Sequence, residues 1–247
     1  MIPTHLKSTL IIGRGEVGNS LYNVLSPVYP TWCDDIRPHL RLMKDQPASF
    51  DVIHVCTRHG ADFIANVKAW VKKYKPRIVN ICTTVPVETM DELEAIGSIF
   101  CHSTTRGLHP NLSESIRVIP KHIGGRMAVP LSIYFNGAGV PTRTHERART
   151  TALLHILNNV HYGVNLVFAD EAAQLCRQYN VDYFDYMTYT QTNNIGYQQL
   201  GHSTKVRPIL TPPSGKIGGH CITHSAALIP EENRPEIFNI VASYNED

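Results

Sequence analysis

The feature that most constrains this chain is a glycine-rich turn directly after a short apolar run near the N-terminus. Residues 9–12 (TLII) have the composition of a buried strand, and residues 13–18 (GRGEVG) follow without a spacer. Apolar side chains then recur at helical spacing up to Pro27. Strand, GxGxxG and helix in this order are typical of a dinucleotide-binding βαβ unit. There the first glycine permits the turn, the second lets backbone approach a pyrophosphate, and the third lets the helix lie close to the strand.

An acidic pair, Asp34-Asp35, follows the next strand-like segment at residues 30–33. A carboxylate about 20 residues after the glycines binds the adenosine ribose hydroxyls and repels a 2′-phosphate. The pair therefore favours NAD over NADP, although Arg37 weakens that preference. The alternative is a strand, turn and helix that bind no ligand. The predicted cofactor-binding residues are Gly13, Gly15, Glu16, Val17, Gly18, Asp34, Asp35, Thr57 and Thr83.

The rest of the first half alternates between apolar strands and amphipathic helices. The predicted strands are residues 51–56, 77–82 and 98–102, and the predicted helices are residues 63–71 and 88–96. This alternation predicts an α/β fold with a Rossmann-type, doubly wound parallel sheet covered on both faces. Ligands bind beyond the carboxyl ends of such strands. The loops that follow those ends are residues 57–60, 83–86 and 103–107. In the last of these loops, Arg106 is a candidate to bind an anionic substrate group.

The second half of the chain changes character after Gly124-Gly125. We expect a strand at residues 128–135, a long helix at 144–179 with a candidate break at Gly163, and a further helix at 183–200. A Pro/Gly-rich loop at residues 211–221 ends at a cysteine. The predicted domains are a dinucleotide-binding Rossmann domain (residues 1–127) and a smaller, mainly helical substrate and dimerisation domain (residues 128–247). The long helix predicts a homodimer.

Composition excludes several classes of protein. The 247 residues carry 23 Lys and Arg against 21 Asp and Glu, which is too balanced for a nucleic-acid or polybasic membrane-surface binder. No run reaches the roughly 18 apolar residues of a membrane helix, and the N-terminus lacks a leader pattern. The six cysteines form no CxxC pair, which predicts a reduced, cytoplasmic protein. The 13 histidines form no convincing helical metal-binding pair, so we expect no dedicated metal site.

Several stretches, in the right order, resemble the UDP-glucose/GDP-mannose 6-dehydrogenase family of nucleotide-sugar dehydrogenases. The matching stretches are residues 12–18 (GxGxVG), 82–86 (the STVP loop), 158–171 (the central helix) and 218–222 (the GGHCx loop). The last is the most specific. The resemblance implies an NAD-binding domain followed by a helical dimerisation region. It also implies a truncated form, because the chain ends soon after the GGHC loop and leaves no room for the family's C-terminal domain.

The resemblance also implies a chemistry. The family oxidises a primary alcohol to an acid in two hydride transfers, and the loop cysteine forms a thiohemiacetal and then a thioester. Cys221 would be that nucleophile. The substrate-binding residues would be Gly218, Gly219 and His220, together with Arg106. Thr84, in the loop that resembles STVP, would be a catalytic residue.

Three positions depart from the family pattern. His155 stands where the family has a catalytic Lys, four residues before Asn159, so the two share one helix face. Ser225 replaces the family's Asp, and the family's Glu pair is missing at residues 103–106. A histidine can accept a proton from an alcohol but is not a fixed cation near neutral pH. These departures argue against the complete two-step oxidation. The alternative for His155 is a hydrogen-bonded histidine at a helix interface.

Three hypotheses therefore stay open. The leading one is an NAD-dependent oxidoreductase acting on an alcohol or aldehyde of a sugar-like or small anionic substrate. In it, His155 is the acid/base, Asn159 orients the substrate and Cys221 is a covalent group. The second is a nucleotide-binding pseudoenzyme or assembly subunit. The third is a single-step dehydrogenase of the β-hydroxyacid type, whose Lys-x-x-x-Asn helix has the same spacing and which needs no cysteine.

Overall fold

The computed structural model describes residues 6–108, 110–217 and 220–245, and the chain divides into two compact units, Met1–His155 and Ile156–Asp247. The predicted boundary, between residues 127 and 128, falls inside the first unit. The sheet of that unit continues beyond residue 128, and its last strand is paired at residues 142–145.

The first unit is built on one sheet of seven strands in the order β2-β1-β3-β4-β5-β6-β7. The strands are β1 (Thr9–Ile12), β2 (Thr31–Asp34), β3 (Val52–Val55), β4 (Ile78–Ile81), β5 (Phe100–His102), β6 (Lys121–Gly124) and β7 (Thr142–His145). The pairs among β1 to β5 are parallel, so their carboxyl ends share one edge. β6 runs antiparallel to β5, and β7 is parallel to β6. The α/β class is confirmed, with a reversal at β6 that the sequence pattern did not indicate.

Helices cover both faces of this sheet. They are α1 (Glu16–Leu25), α2 (Phe63–Tyr74), α3 (Val87–Ile96), α4 (Leu112–Val118) and α5 (Ala128–Gly137). β1 shows the two-sided burial, because Ile11 packs in a cluster with α1 and α5 whereas Leu10 and Ile12 pack in another with α2 and α3. A strand buried on both faces reads as a continuous apolar run, which is why β1, β3 and β4 were predictable.

The prediction of a strand at residues 128–135 is wrong, because this segment is helix α5. Its buried residues Ala128, Leu131, Tyr134 and Phe135 recur at helical spacing, but exposed apolar residues lie between them. Val129 is 53% exposed and Ile133 is 57% exposed, so apolar residues on the outer face hide the helical period. The edge strand β7 was missed for the opposite reason, since its sequence TRTH is polar.

The second unit is helical. Its helices are α6 (Ala148–Gln178), whose first turns belong to the first unit, α7 (Tyr183–Gln199), α8 (His220–Ala227) and α9 (Glu236–Ser243). Gly163 does not interrupt α6. A Cβ at Gly163 would lie 2.6 Å from Val241 Cγ1 and 2.7 Å from Ile222 Cγ2. The glycine therefore allows α8 and α9 to approach α6 closely.

Within the described part of the chain, no helix combines the length and the apolar character needed to cross a membrane.

Candidate functional site

The three glycines of the GxGxxG motif have three different surroundings. Gly13 has a φ of +87°, and its amide donates to the Asp34 carbonyl at 2.8 Å. A Cβ there would lie 3.0 Å from the carbonyl carbon and oxygen of Cys56. A Cβ on Gly18 would overlap the carbonyl oxygen of Gly13, whereas a Cβ on Gly15 would meet nothing within 4 Å. The first and third glycines are thus required by the fold, and the second leaves open space.

That open space lies at the amino end of α1. Gly15 is the N-cap of this ten-residue helix, and Glu16 and Val17 form its first turn. The backbone N–H groups and the dipole at a helix N-terminus favour an anion. The space beside Gly15 is open, so the loop could accept the pyrophosphate of a dinucleotide such as NAD.

The two side chains of the acidic pair, Asp34 and Asp35, have different partners in the structure. Asp34 accepts a hydrogen bond from the Tyr74 hydroxyl at 2.5 Å and pairs with Arg41 at 3.0 Å. Asp35 instead accepts the backbone N–H of Arg14, inside the glycine loop, at 2.7 Å. Hydrogen bonds from the Arg37 side chain, with further ones from the Arg37 and Arg14 backbone, hold the pKa of Asp35 well below its usual range. Asp35 is therefore the carboxylate that lies beside the glycine loop.

The two predicted cofactor-binding threonines connect neighbouring loops. The Thr83 hydroxyl donates to the Thr57 carbonyl oxygen at 2.6 Å, which ties the loop after β4 to the loop after β3. The methyl carbon of Thr57 lies 3.1 Å from the position of a Cβ on Gly13. These contacts give both residues a part in shaping the glycine turn.

His155 and Thr84, two of the predicted catalytic residues, are brought together in the first unit. The Nε2 atom of His155, on α6, lies 3.1 Å from the Thr84 hydroxyl oxygen. Burial, with added repulsion from Arg106 and Lys121, lowers the pKa of His155 to about 4. The imidazole is therefore neutral at pH 7. It can exchange a proton but does not replace the fixed charge of a lysine.

Sequence reasoning missed His102, at the carboxyl end of β5. It is fully buried, with Nδ1 at 2.9 Å from the Thr151 hydroxyl and Nε2 at 3.3 Å from the Thr83 carbonyl oxygen. Burial and the neighbouring His155 lower its pKa to about 3. A neutral His102 thus links the loop that carries Thr83 and Thr84 to α6. Its position at a strand end was the only signal in the sequence.

Lys121 was also missed. It is 5% exposed, and its ammonium donates to the Thr104 carbonyl at 3.0 Å. Arg106 donates to the Pro120 carbonyl oxygen. Among the described residues, no carboxylate lies within ion-pair distance of either cation. The end of β5 is therefore electropositive, which suits an anionic group.

The other predicted catalytic residues belong to the second unit. Asn159 lies one turn after His155 on α6, and its amide donates to the Ser225 hydroxyl at 2.9 Å. That hydroxyl donates to the Cys221 carbonyl at 2.5 Å. Cys221 is exposed and lies in the first turn of α8, so the expectation of a loop cysteine is corrected to a helical one. Ser225 thus holds Asn159 against the backbone of α8.

The predicted substrate-binding residues Gly218 and Gly219, and the side chain of His220, lie outside the described part of the chain. Among the residues that are described, no three His, Cys, Asp or Glu side chains are grouped so that they could hold a metal ion.

Neither the protein-family models nor the curated protein sequences contain a match to this chain. Solved structures do match. A UDP-D-ManNAc dehydrogenase from Pyrococcus horikoshii aligns at 17% identity and a TM-score of 0.78, over 97% of this chain and 68% of its own. A UDP-glucose dehydrogenase from Pyrobaculum islandicum aligns at 16% identity and a TM-score of 0.71, over 100% of this chain and 70% of its own. A 3-hydroxyisobutyrate dehydrogenase from Mycobacterium tuberculosis, solved with L-serine, aligns at 13% identity and a TM-score of 0.71, over 98% of this chain and 95% of its own. The chain therefore has a Rossmann-like dehydrogenase fold.

Proposed function

We propose that this protein is an NAD-dependent oxidoreductase that acts on an alcohol or aldehyde group of a sugar-like or small anionic substrate. The observation that carries the proposal is the open space at Gly15, at the N-terminus of α1, beside the carboxylate of Asp35. The likeness to three dehydrogenase structures supports the same reaction class.

The cofactor would be held by the glycine loop. Gly13 and Gly18 keep β1 and α1 close, while Gly15 and the first turn of α1 meet the pyrophosphate. When bound, NAD supplies the hydride acceptor for the oxidation of an alcohol. The remaining requirements are a proton acceptor and a way of holding the substrate.

His155 is the proposed proton acceptor. Its neutral imidazole lies against the Thr84 hydroxyl, which can orient the ring or the substrate hydroxyl. A base with a pKa of about 4 is weak, because burial and, to a smaller extent, the positive field of Arg106 and Lys121 lower this pKa, but the same field favours an alkoxide. The field therefore assists deprotonation at the substrate while it disfavours a long-lived imidazolium.

Arg106 and Lys121 are the proposed source of substrate charge recognition. Neither has a carboxylate partner among the described residues, and Lys121 is almost completely buried. Burial lowers the pKa of the Lys121 ammonium, and a bound anion would offset this desolvation cost. This favours a substrate with a carboxylate or phosphate over a neutral sugar.

A covalent role for Cys221 is the more specific part of the proposal. Cys221 is exposed in the first turn of α8, and a thiolate is the form of a cysteine that attacks an aldehyde. Asn159, bonded to Ser225, would orient the substrate. The single-step β-hydroxyacid alternative needs no cysteine, and it is favoured by the 95% coverage of the 3-hydroxyisobutyrate dehydrogenase chain.

The exposed apolar side chains of α6 and α7 support the predicted homodimer. Phe168 and Leu175 on α6 are 57% and 55% exposed, and Tyr189 on α7 is 70% exposed. Burial of such side chains in a partner interface is favourable by about 25 cal/mol per Å². Light scattering coupled to size-exclusion chromatography should give twice the mass of the chain, and a monomer at micromolar concentration would rule this out.

Turnover decides between the candidate functions. We expect absorbance of reduced nicotinamide to rise when the protein and NAD meet a panel of nucleotide sugars and small hydroxy acids. Absence of turnover with intact NADH binding would favour the pseudoenzyme. Loss of activity in Cys221→Ser supports the covalent route, whereas full activity favours the single-step reaction, with Cys176→Ser as the matched control.

A further inference from the structure

Every acceptor position of the Asp35 carboxylate is already engaged. Its Oδ2 accepts the Arg14 N–H at 2.7 Å and Arg37 Nη2 at 3.1 Å. Its Oδ1 accepts the Arg37 backbone N–H at 2.9 Å and Arg37 Nε at 2.9 Å. A carboxylate offers about four lone-pair sites, so a ribose hydroxyl could bond to Asp35 only by displacing one of these donors. The Asp35 side chain is also only 4% exposed.

The charge around the acidic pair is positive rather than negative. Arg37 neutralises Asp35, while Arg41 and Lys73 both lie within ion-pair distance of Asp34. Arg14, inside the glycine loop, adds a cation whose guanidinium carbon lies 4.5 Å from the Tyr22 ring centroid. Its Nε is buried and has no hydrogen-bond partner. Three cations thus pair with the two carboxylates, which offsets the repulsion expected of an acidic residue at this place.

Arg37 has the freedom and the shape to engage a phosphate. Its side chain is 50% exposed, so it can leave Asp35 while the backbone N–H groups of Arg14 and Arg37 still hold the carboxylate. A guanidinium binds phosphate through two parallel hydrogen bonds, a geometry that the ribose hydroxyls do not match.

We propose that the adenosine-ribose subsite beside Asp35 accepts a 2′-phosphate through Arg37 and Arg14, so that the chain binds NADP(H) at least as tightly as NAD(H). This inference rests on the proposed function, in which the glycine loop binds a dinucleotide. It removes the preference for NAD that the acidic pair indicates in the sequence.

Calorimetric titration of the full chain with NADPH and NADH tests the inference by binding alone, without turnover. We expect a Kd for NADPH equal to or below that for NADH, and tighter binding of 2′,5′-ADP than of 5′-ADP. Arg37→Ala should weaken the binding of NADPH by at least about tenfold, because one or two charged hydrogen bonds are lost. The same substitution should change the affinity for NADH by less than about threefold. Arg41→Ala, which removes an equal charge bonded to Asp34, should leave the NADPH-to-NADH ratio nearly unchanged.

The outcomes separate the two proposals. NADH binding at least about tenfold tighter than NADPH, or an equal loss of both in Arg37→Ala, would overturn this inference and leave the dinucleotide site intact. Binding of neither nucleotide would overturn the proposed function and the inference with it. Circular dichroism of Arg37→Ala should match the parent, because the replaced side chain is half exposed.

Discussion

The same substitution, glycine to alanine, should have opposite consequences at Gly15 and Gly18. A Cβ on Gly15 meets no atom within 4 Å, and the backbone there has a φ of −72°, which alanine adopts readily. Gly15→Ala should therefore change the free energy of unfolding by less than about 0.5 kcal/mol. A Cβ on Gly18 would overlap the Gly13 carbonyl oxygen, which cannot move without shifting β1. Gly18→Ala should cost about 3 kcal/mol or more.

For binding, the order reverses. The methyl group of Gly15→Ala would stand where the pyrophosphate approaches α1, so we expect NADH affinity to fall at least about tenfold, or about 1.4 kcal/mol. Thermal unfolding and NADH fluorescence titration measure the two effects on the same samples. At about 2 °C or more per kcal/mol for a chain of this size, Gly18→Ala should lower the melting temperature by about 6 °C or more.

Gly97→Ala is the control, since its Cβ also meets nothing within 4 Å and its φ is −179°. Gly97→Ala should alter neither the free energy of unfolding nor the affinity for NADH. Unchanged NADH affinity in Gly15→Ala would refute the assignment of the glycine loop as the phosphate site. A stable Gly18→Ala would refute the close approach of α1 to β1.

His102 and His155 have pKa values of about 3 and about 4, below the unfolded value near 6.5, so their contribution to stability is complete above pH 6.5. It should be lost as pH falls toward 4, by about 1.4 kcal/mol per pH unit for each histidine, and urea unfolding at several pH values measures the slope. Lys121→Met should raise the pKa of His155 in an NMR titration, whereas Lys68→Met, which removes an exposed charge paired with Glu92, should not. Gly163→Ala should destabilise the chain by about 1–3 kcal/mol because of the contacts with Val241 and Ile222, whereas Gly196→Ala in α7, where a Cβ meets nothing, should be neutral or stabilising by up to about 1 kcal/mol in chemical unfolding.

The helices and strands that could be predicted are those in which the pattern of apolar residues in the sequence matches the pattern of burial in the structure. β1, β3 and β4 are short, mostly apolar runs bounded by turns, and α2 carries Phe63 and Val67 on one buried face. The strand predicted at the position of α5 was wrong because apolar residues lie on the exposed side of this helix as well as on its buried side. β7 was not predicted because this edge strand, whose side chains are partly exposed, has no alternation of apolar residues.

The surroundings of the motif glycines were predictable because they depend on backbone geometry. Gly13, Gly15 and Gly18 occupy the three surroundings that the motif predicts. Roles that depend on contacts distant in the sequence were not predictable. Spacing alone could not choose between Asp34 and Asp35, because the choice rests on Tyr74 for one and on Arg14 for the other.

The reversal of β6 has a consequence for where functional residues are sought. In a wholly parallel sheet, only residues that follow a strand reach the ligand edge. Here β6 enters the sheet from that edge, so its first residue, Lys121, lies beside Thr104 and Thr105 at the end of β5. Substitutions at the start of β6 should therefore affect ligand binding, although a scan of residues that follow strands would pass over them.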